Sequence, residues 1–250
     1  MTILRAAHAL VWICSWGTVS ATPAAAQDTS VRSDRHTTPA PRMNPLTSDE
    51  QQQGWHLLFD GKTTRGWRGF RQKAAPAGWQ VVDGALTRVG RAGDLITDEE
   101  FGDFELALEW KISEGGNSGI MYRVVDADEA TYQSGPEMQV LDDARHPDGR
   151  SRLTAAGAAY GLYPAPAGVV KPAGEWNQVR IVVKGGHVEH WLNGQKVVDY
   201  ELWSPDWKAR VAKSKFAQWP RYGLAKKGHI ALQDHGDWVA YRNIRIRTLP

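Results

Sequence analysis

Phe101-Gly-Asp-Phe-Glu-Leu-Ala-Leu-Glu-Trp-Lys-Ile112 alternates apolar and polar residues along its length. Successive side chains of a strand point to opposite faces, so the spacing predicts Phe104, Leu106, Leu108 and Trp110 on a core face and Glu105, Ala107, Glu109 and Lys111 on a solvated one. One face in and one face out is the signature of an antiparallel sheet. The stretch decides the fold class, and the rest of the chain follows the same grammar.

Downstream, Gly115-Gly-Asn-Ser-Gly119 predicts a turn, with Asn117 as a turn residue of positive φ, and Ile120–Val124 a strand. That strand sets Ile120, Tyr122 and Val124 on one face and Met121 and Arg123 on the other. Gly135-Pro-Glu-Met-Gln-Val-Leu-Asp-Asp143 predicts the next strand. Met138 and Val140 face a core, while Glu137 and Gln139 carry a carboxylate and an amide to the other side. Asn177 to Val198 reads as a three-strand meander whose Gly185-Gly186 and Asn193-Gly194 are two-residue hairpin turns. Asp83-Gly84 joins another hairpin, and Gly228–Gly236 and Trp238–Arg247 close the chain as strands. Ser204-Pro205, an N-cap followed by proline at the first helical position, starts the one helix expected. Asp142 to Pro172 is too long for a simple connection, which marks it as functional; Tyr160 lies within it. The expectation is an all-β, two-sheet antiparallel jelly-roll sandwich with one short helix.

The composition agrees. Of 250 residues, 42% are hydrophobic and 23% charged, ordinary for a globular protein. A net charge of +2 argues against nucleic acid or an anionic membrane as partner. Twelve tryptophans are the unusual feature. Most belong in a core, but an exposed indole face also stacks on the C–H face of a sugar ring.

Residues 1–26 read as a signal peptide: Arg5, an apolar run from Ala6 to Val19 and Ala24-Ala25-Ala26 before Gln27. The run is short for a membrane span. The single cysteine, Cys14, lies inside it, so the mature chain has no disulfide. Residues 27–53 are nearly devoid of apolar side chains and read as a disordered linker, leaving 54–250 as one domain. The expected location is the periplasm or the medium.

If the strands at 119–124, 135–143 and 228–236 are neighbours, their polar sides collect Arg123, Glu137, Gln139, Gln233 and His235. A cation, a carboxylate, two amides and an imidazole are costly to crowd together without a ligand. Plain readings stand beside this one: His235 as a turn residue bonding its own backbone, or Arg123 simply paired with Glu137. No zinc spacing, nucleophile elbow, phosphate loop or dinucleotide fingerprint occurs in the sequence. The ordinary pair of glycosidase carboxylates is not visible on the Glu137 strand either.

Trp55-His-Leu-Leu-Phe-Asp-Gly-Lys, Gly102-Asp-Phe-Glu-Leu, Gly116-Asn-Ser-Gly-Ile, Glu137-Met-Gln-Val-Leu-Asp, Gly174-Glu-Trp-Asn, Trp191-Leu-Asn-Gly, Gly228-His-Ile-Ala-Leu-Gln-Asp-His-Gly and Arg242-Asn-Ile-Arg-Ile occur in this order. Together they resemble the 3-keto-disaccharide hydrolase domain, formerly a domain of unknown function, from about Gly54 to the C-terminus. The resemblance implies a concanavalin A-like lectin/glucanase sandwich acting on glycosides oxidised at C3. Laminarinase-type relatives of that fold use Glu-x-Asp-x-x-Glu, of which Glu137-Met-Gln keeps only the first acid. For a 3-keto-glycoside the resemblance casts Glu137 and His235 as acid and base in either order, and Arg123 as the partner of enolate charge. Gln139, Gln233 and Tyr160 become contacts to the sugar. No cofactor is expected, since a separate sugar 3-oxidoreductase would make the ketone; a divalent metal in place of Arg123 is the alternative. The expected partner is a small carbohydrate, and the chain a monomer. The competing reading is a non-catalytic carbohydrate-binding, lectin-like module on the same sandwich.

Protein recovered outside the cytoplasm should begin at Gln27, which intact-mass measurement checks; an intact Met1 or a lipid on Cys14 overturns the export reading.

Overall fold

The computed structural model describes residues 45–250; the signal-peptide reading, and the linker reading up to residue 44, fall outside them. The alternating stretch forms β6 (Phe104–Ile112), with Phe104, Leu106, Leu108, Trp110 and Ile112 all buried. It lies in the middle of a large sheet, between β9 (Asn177–Lys184) and β13 (Val239–Thr248). β10 (His187–Leu192) and β11 (Gln195–Glu201) extend that sheet beyond β9. β4 (Ala85–Arg88) and β3 (Trp79–Val82) extend it beyond β13, and β1 (His56–Leu57) pairs with the far end of β13. Asp83-Gly84 and Asn193-Gly194 turn their hairpins with positive φ at both residues, as the twist of two-residue connections requires.

The second sheet has five strands in the order β2 (Trp67–Gly69), β5 (Leu95–Thr97), β12 (His229–Leu232), β7 (Asn117–Val124) and β8 (Glu137–Leu141). All its pairings are antiparallel. The inner faces of the two sheets close on one apolar core. The two-sheet antiparallel sandwich is thus as the sequence predicts.

β8 is an edge strand, and an unpaired edge needs cover. The long segment after it supplies that cover: Gln139 N–H donates to Ala158 O (3.1 Å), Gly157 N–H to Gln139 O (2.8 Å) and Tyr160 N–H to Glu137 O (3.0 Å).

Two expectations change in the helices. The predicted helix is α2 (Pro205–Ala212), capped by the Ser204 hydroxyl on Trp207 N–H (3.1 Å). A second helix, α1 (Ser48–Gln52), occupies the end of the stretch read as a linker. α1 buries no residue; a reciprocal Thr47–Glu50 capping box and an Arg245–Glu50 ion pair (2.6 Å) hold it instead. Apolar content alone was the wrong criterion there.

The alternation of β7 also breaks at Arg123. Pairing with β12 slips between His229 and Ala231, and Arg123 takes φ 53. Gly228 packs so close to the Arg123 backbone that a Cβ would meet it at 2.5 Å. The bulge turns Val124 to the outer side of the sheet, with Ile96, Met121 and Ala231, while Ile120 and Tyr122 stay in the main core. It also sends the Arg123 guanidinium, 2% exposed, to the end of the sandwich. There it donates to Gly102 O (3.0 Å), Gly185 O (3.0 Å) and Asp103 Oδ1 (3.1 Å). Arg123 therefore ties loop backbone together and does not share a site with Glu137, contrary to the alternation argument.

Arg123→Met removes the donor shared by the Gly102 and Gly185 carbonyls and takes from Asp103 its cation, leaving it the Gly185 N–H, and should lower unfolding stability by about 2–4 kcal/mol. The turnover of the folded fraction should stay within two-fold, read from denaturant unfolding beside activity normalised to folded protein. A large loss of turnover at unchanged stability would return Arg123 to the site.

Candidate active site

On the outer side of the five-stranded sheet, β7 and β8 pair so that Gly119 faces Gln139 and Met121 faces Glu137. Gly119 has no side chain, and that absence makes room: a Cβ there would lie 2.0 Å from Glu137 Oε1. The Glu137 carboxylate lies across the backbone of the neighbouring strand and is 7% exposed. It opens into a cavity of about 330 Å³ whose polar lining includes Asn117, Gln139, Gln233, His235 and Lys215. Tyr132, Tyr160 and Trp219 provide the aromatic walls. Glu137 is the one carboxylate among the described residues that line it.

Burial pushes the Glu137 carboxyl up to about 8; Lys215 opposes the shift, and the charges of Asp94 and Asp148 add to it. The neighbouring Gln139 amide satisfies its surroundings with its NH2 directed at Glu137 Oε1 and Ser118 O, each 3.2 Å away. Its other end lies 3.3 Å from the Asn117 amide. The Gln233 Oε1 is buried without a partner among the described residues, an acceptor left over for a ligand. Tyr160 O–H donates to Asp148 Oδ2 (3.0 Å), and the Lys215 ammonium sits over the Tyr160 ring at 4.3 Å. His235 is exposed at the rim. Just beside it Asp234 accepts from Ala92 and Gly93 N–H (both 2.8 Å) and pairs with Arg88 (2.6 Å), anchoring the segment.

Five of the six sequence-predicted residues thus meet at one cavity: Glu137, Gln139, Gln233, His235 and Tyr160. Arg123 does not, for the reason given above. Asn117 is the first residue of β7, takes no positive φ and faces the cavity, so the turn reading fails. Four lining residues were missed by sequence reasoning: Asn117, Tyr132, Lys215 and Trp219. The last two come from Lys215–Trp219, a 3-10 turn and its C-cap with no alternation to read.

Packing places that segment. Tyr163, Tyr200, Trp207, Tyr222 and Phe216 stack in succession with centroid spacings of 4.7, 5.2, 5.9 and 4.0 Å. Phe216 ends the stack, and its chain neighbours Lys215 and Trp219 project into the cavity. Trp219 is held from the other side by Tyr132, 5.1 Å between ring centroids. The stack is tied to the core at Tyr200, which shares Tyr122 O–H with His190 (2.9 Å). Burial pushes His190 down to about 4, so it is neutral, and its Nδ1–H donates to Gly157 O (3.1 Å).

The described group with metal-ligand spacing is His187, Glu189 and Asp199, on β10 and β11 and outside this cavity. The Lys196 ammonium already bonds Glu189 (3.1 Å) and Asp199 (2.5 Å), a poor setting for a second cation.

A buried carboxylate facing amides, one with an unpartnered oxygen, between aromatic walls on a two-sheet sandwich fits a carbohydrate-active hydrolase of glycosidase type. The chain belongs to the family described as the 3-keto-alpha-glucoside-1,2-lyase-like domain, which it matches over residues 54–247. It is 38% identical over 242 residues to a 3-keto-disaccharide hydrolase of Bacteroides thetaiotaomicron, covering 84% of this chain and 83% of that protein. Two solved structures from Parabacteroides distasonis, each provisionally described as a glycosyl hydrolase, share the fold. One has TM-score 0.79 and 35% identity over 84% of this chain and all of its own. The other has TM-score 0.63 and 32% identity over 78% of this chain and 99% of its own.

The raised Glu137 carboxyl has a consequence for stability. Its folded value of about 8 exceeds the ordinary 4.5, so the folded state holds this proton more tightly than the unfolded chain does. The stability it contributes is complete below pH 4.5 and is lost as pH rises through 8, with a limit on the order of 5 kcal/mol. Glu137→Gln, which has no proton to lose, should gain stability over the parent from pH 5 to pH 9. Thermal melts across that range check it; a gap independent of pH would show that the carboxylate is solvated.

Proposed function

We propose that this protein cleaves 3-keto-glycosides, including 3-keto-disaccharides, by elimination across C1–C2 followed by hydration. The observation that carries the reading is Glu137: among the described residues that line the cavity it is the one carboxylate, with no second one facing it. Two-carboxylate hydrolysis lacks its pair here. A ketone at C3 removes the need for one, because it acidifies the C2 proton. The family's description speaks of a 1,2-lyase and the Bacteroides relative's name of a hydrolase. Elimination with rehydration accommodates both.

In this scheme the ionised Glu137 takes the C2 proton, and the C–H electron pair forms the C2–C3 double bond of an enediolate with its charge on O3. Re-formation of the ketone makes the C1–C2 double bond and expels the C1 substituent, whose oxygen takes a proton from His235. Water then adds at C1 while a proton returns to C2, releasing the 3-keto sugar. Nothing is oxidised or reduced in these steps. The ketone is made beforehand by a separate sugar 3-oxidoreductase.

A carboxylate raised to about 8 is a stronger base than an ordinary one, although roughly a tenth is ionised at pH 7. Lys215, whose charge already acts on Glu137, takes over the role first assigned to Arg123 as the cation that partners the enediolate charge. Gln139, Gln233, Asn117 and Tyr160 have the geometry to hold sugar hydroxyls. With the export reading of residues 1–26, the reaction belongs to the periplasm or the medium.

The test incubates the purified chain with the 3-keto and the unoxidised form of one disaccharide. Cleavage of the keto form alone is expected; cleavage of the unoxidised form, or of neither, rejects the proposal. Exchange of the C2 proton in deuterated water, the step that needs the base and not the His235 acid, should climb about tenfold per pH unit below 8 and level off above it, and Glu137→Gln should lose about 10²–10⁴-fold in exchange and turnover. A profile that falls through pH 8 would make Glu137 the acid instead.

A further inference from the structure

Trp219 has two sides. One lines the polar cavity; the other lines a groove of about 340 Å³ formed by Trp203, Trp207, Val211, Phe216 and Leu224. The two spaces differ in chemistry. The cavity presents a carboxylate, three amides, an imidazole and an ammonium group, whereas the groove is walled mainly by indoles, phenyl and aliphatic groups, with Lys208 and Tyr222 as its polar members. Leu224 is 55% exposed, the most exposed large hydrophobic side chain among the described residues. Apolar surface of this kind beside a polar site marks a place where a ligand is held.

A glycoside has two halves joined at the bond to be cut. With the sugar half in the polar cavity, its C1 substituent must leave past the rim, and Trp219 is the wall that cavity and groove share. We infer that the groove behind Trp219 is the subsite for the leaving group, and that it selects 3-keto-glycosides with aromatic or other hydrophobic aglycones over those whose leaving group is a second sugar. This rests on the proposed reading of the cavity as a 3-keto-glycoside site. The groove's size suits a small molecule and falls far short of a stable protein interface.

The groove is also preformed. Trp207, Tyr222 and Phe216 belong to the aromatic stack, and Trp203 Nε1–H donates to Gly223 O (2.7 Å). Gly223 takes φ +67 and lies where a Cβ would meet Trp207 Cζ2 at 2.6 Å, so the chain passes close to the indole and leaves the groove open beyond it. Walls that need no ordering on binding leave more of the apolar burial as affinity.

Leu224→Asp tests this, since a side chain so exposed is dispensable for folding. The substrates are the 3-keto forms of an aryl glucoside and of a disaccharide. In the variant, KM for the aryl compound should rise by about five-fold or more with kcat within two-fold, as expected for losing roughly half a leucine's burial, while KM for the disaccharide stays unchanged. Equal shifts for both substrates, or none for either, overturn the assignment. Calorimetric binding of free 1-naphthol, weakened about five-fold by Leu224→Asp, reads the groove without turnover. Naphthol binding with no cleavage of any keto substrate would sink the proposed function and leave an apolar subsite. Keto-disaccharide cleavage without Leu224-dependent naphthol binding would sink the subsite alone.

Discussion

The site depends on one close approach: the Glu137 carboxylate lying over the backbone at Gly119. Any other residue at 119 would put a Cβ where Oε1 lies. The apposition keeps a carboxylate almost out of water, and desolvation is the largest influence on its proton affinity. A more exposed Glu137 would be an ordinary, weak base. The strand partner that removes water from it thus sets its chemistry, and the opposing charges of Lys215, Asp94 and Asp148 only adjust the result. A carboxylate poised this way opposes the stability of the fold that holds it, a common trade at sites built for activity.

A second constraint acts through packing. The segment carrying Lys215 and Trp219 has no sheet to hold it. It is positioned because Phe216 terminates a stack of rings reaching back through Tyr222 and Trp207 to Tyr200 in the core. Several of the tryptophans conspicuous in the composition serve here. The aromatic ladder turns a 3-10 turn into a rigid wall, and through Trp219 that wall borders both the polar cavity and the apolar groove.

The sheet and most of its site-facing residues were legible in the sequence because a period of two is a local signal. β6 and β8 follow from it, and Glu137, Gln139 and Gln233 reach the outer side by simple alternation, while the three two-residue hairpin turns were legible in their Asp-Gly, Gly-Gly and Asn-Gly pairs. Arg123 was misplaced because a bulge is a change of register, set by Gly228 packing on the facing strand, and a single strand read alone does not reveal it. Lys215 and Trp219 were missed because only tertiary stacking delivers them. The helix at 48–52 was missed because capping and one ion pair, rather than apolar content, stabilise it. The ordered series of short motifs reached further than any single strand, since it carried the family as well as the fold.

The strand that bears Glu137 is the last of its sheet, and the segment covering it bonds it through backbone groups around Gln139 and Glu137. Backbone pairing is indifferent to the side chains of the covering segment. Sequence drift along residues 142–172 can therefore remodel the rim without unseating the core. An active site at a sheet margin has a fixed chemical group and a replaceable neighbourhood. A change in that loop can alter what a ligand meets at Tyr160 while the Glu137 carboxylate stays where it is.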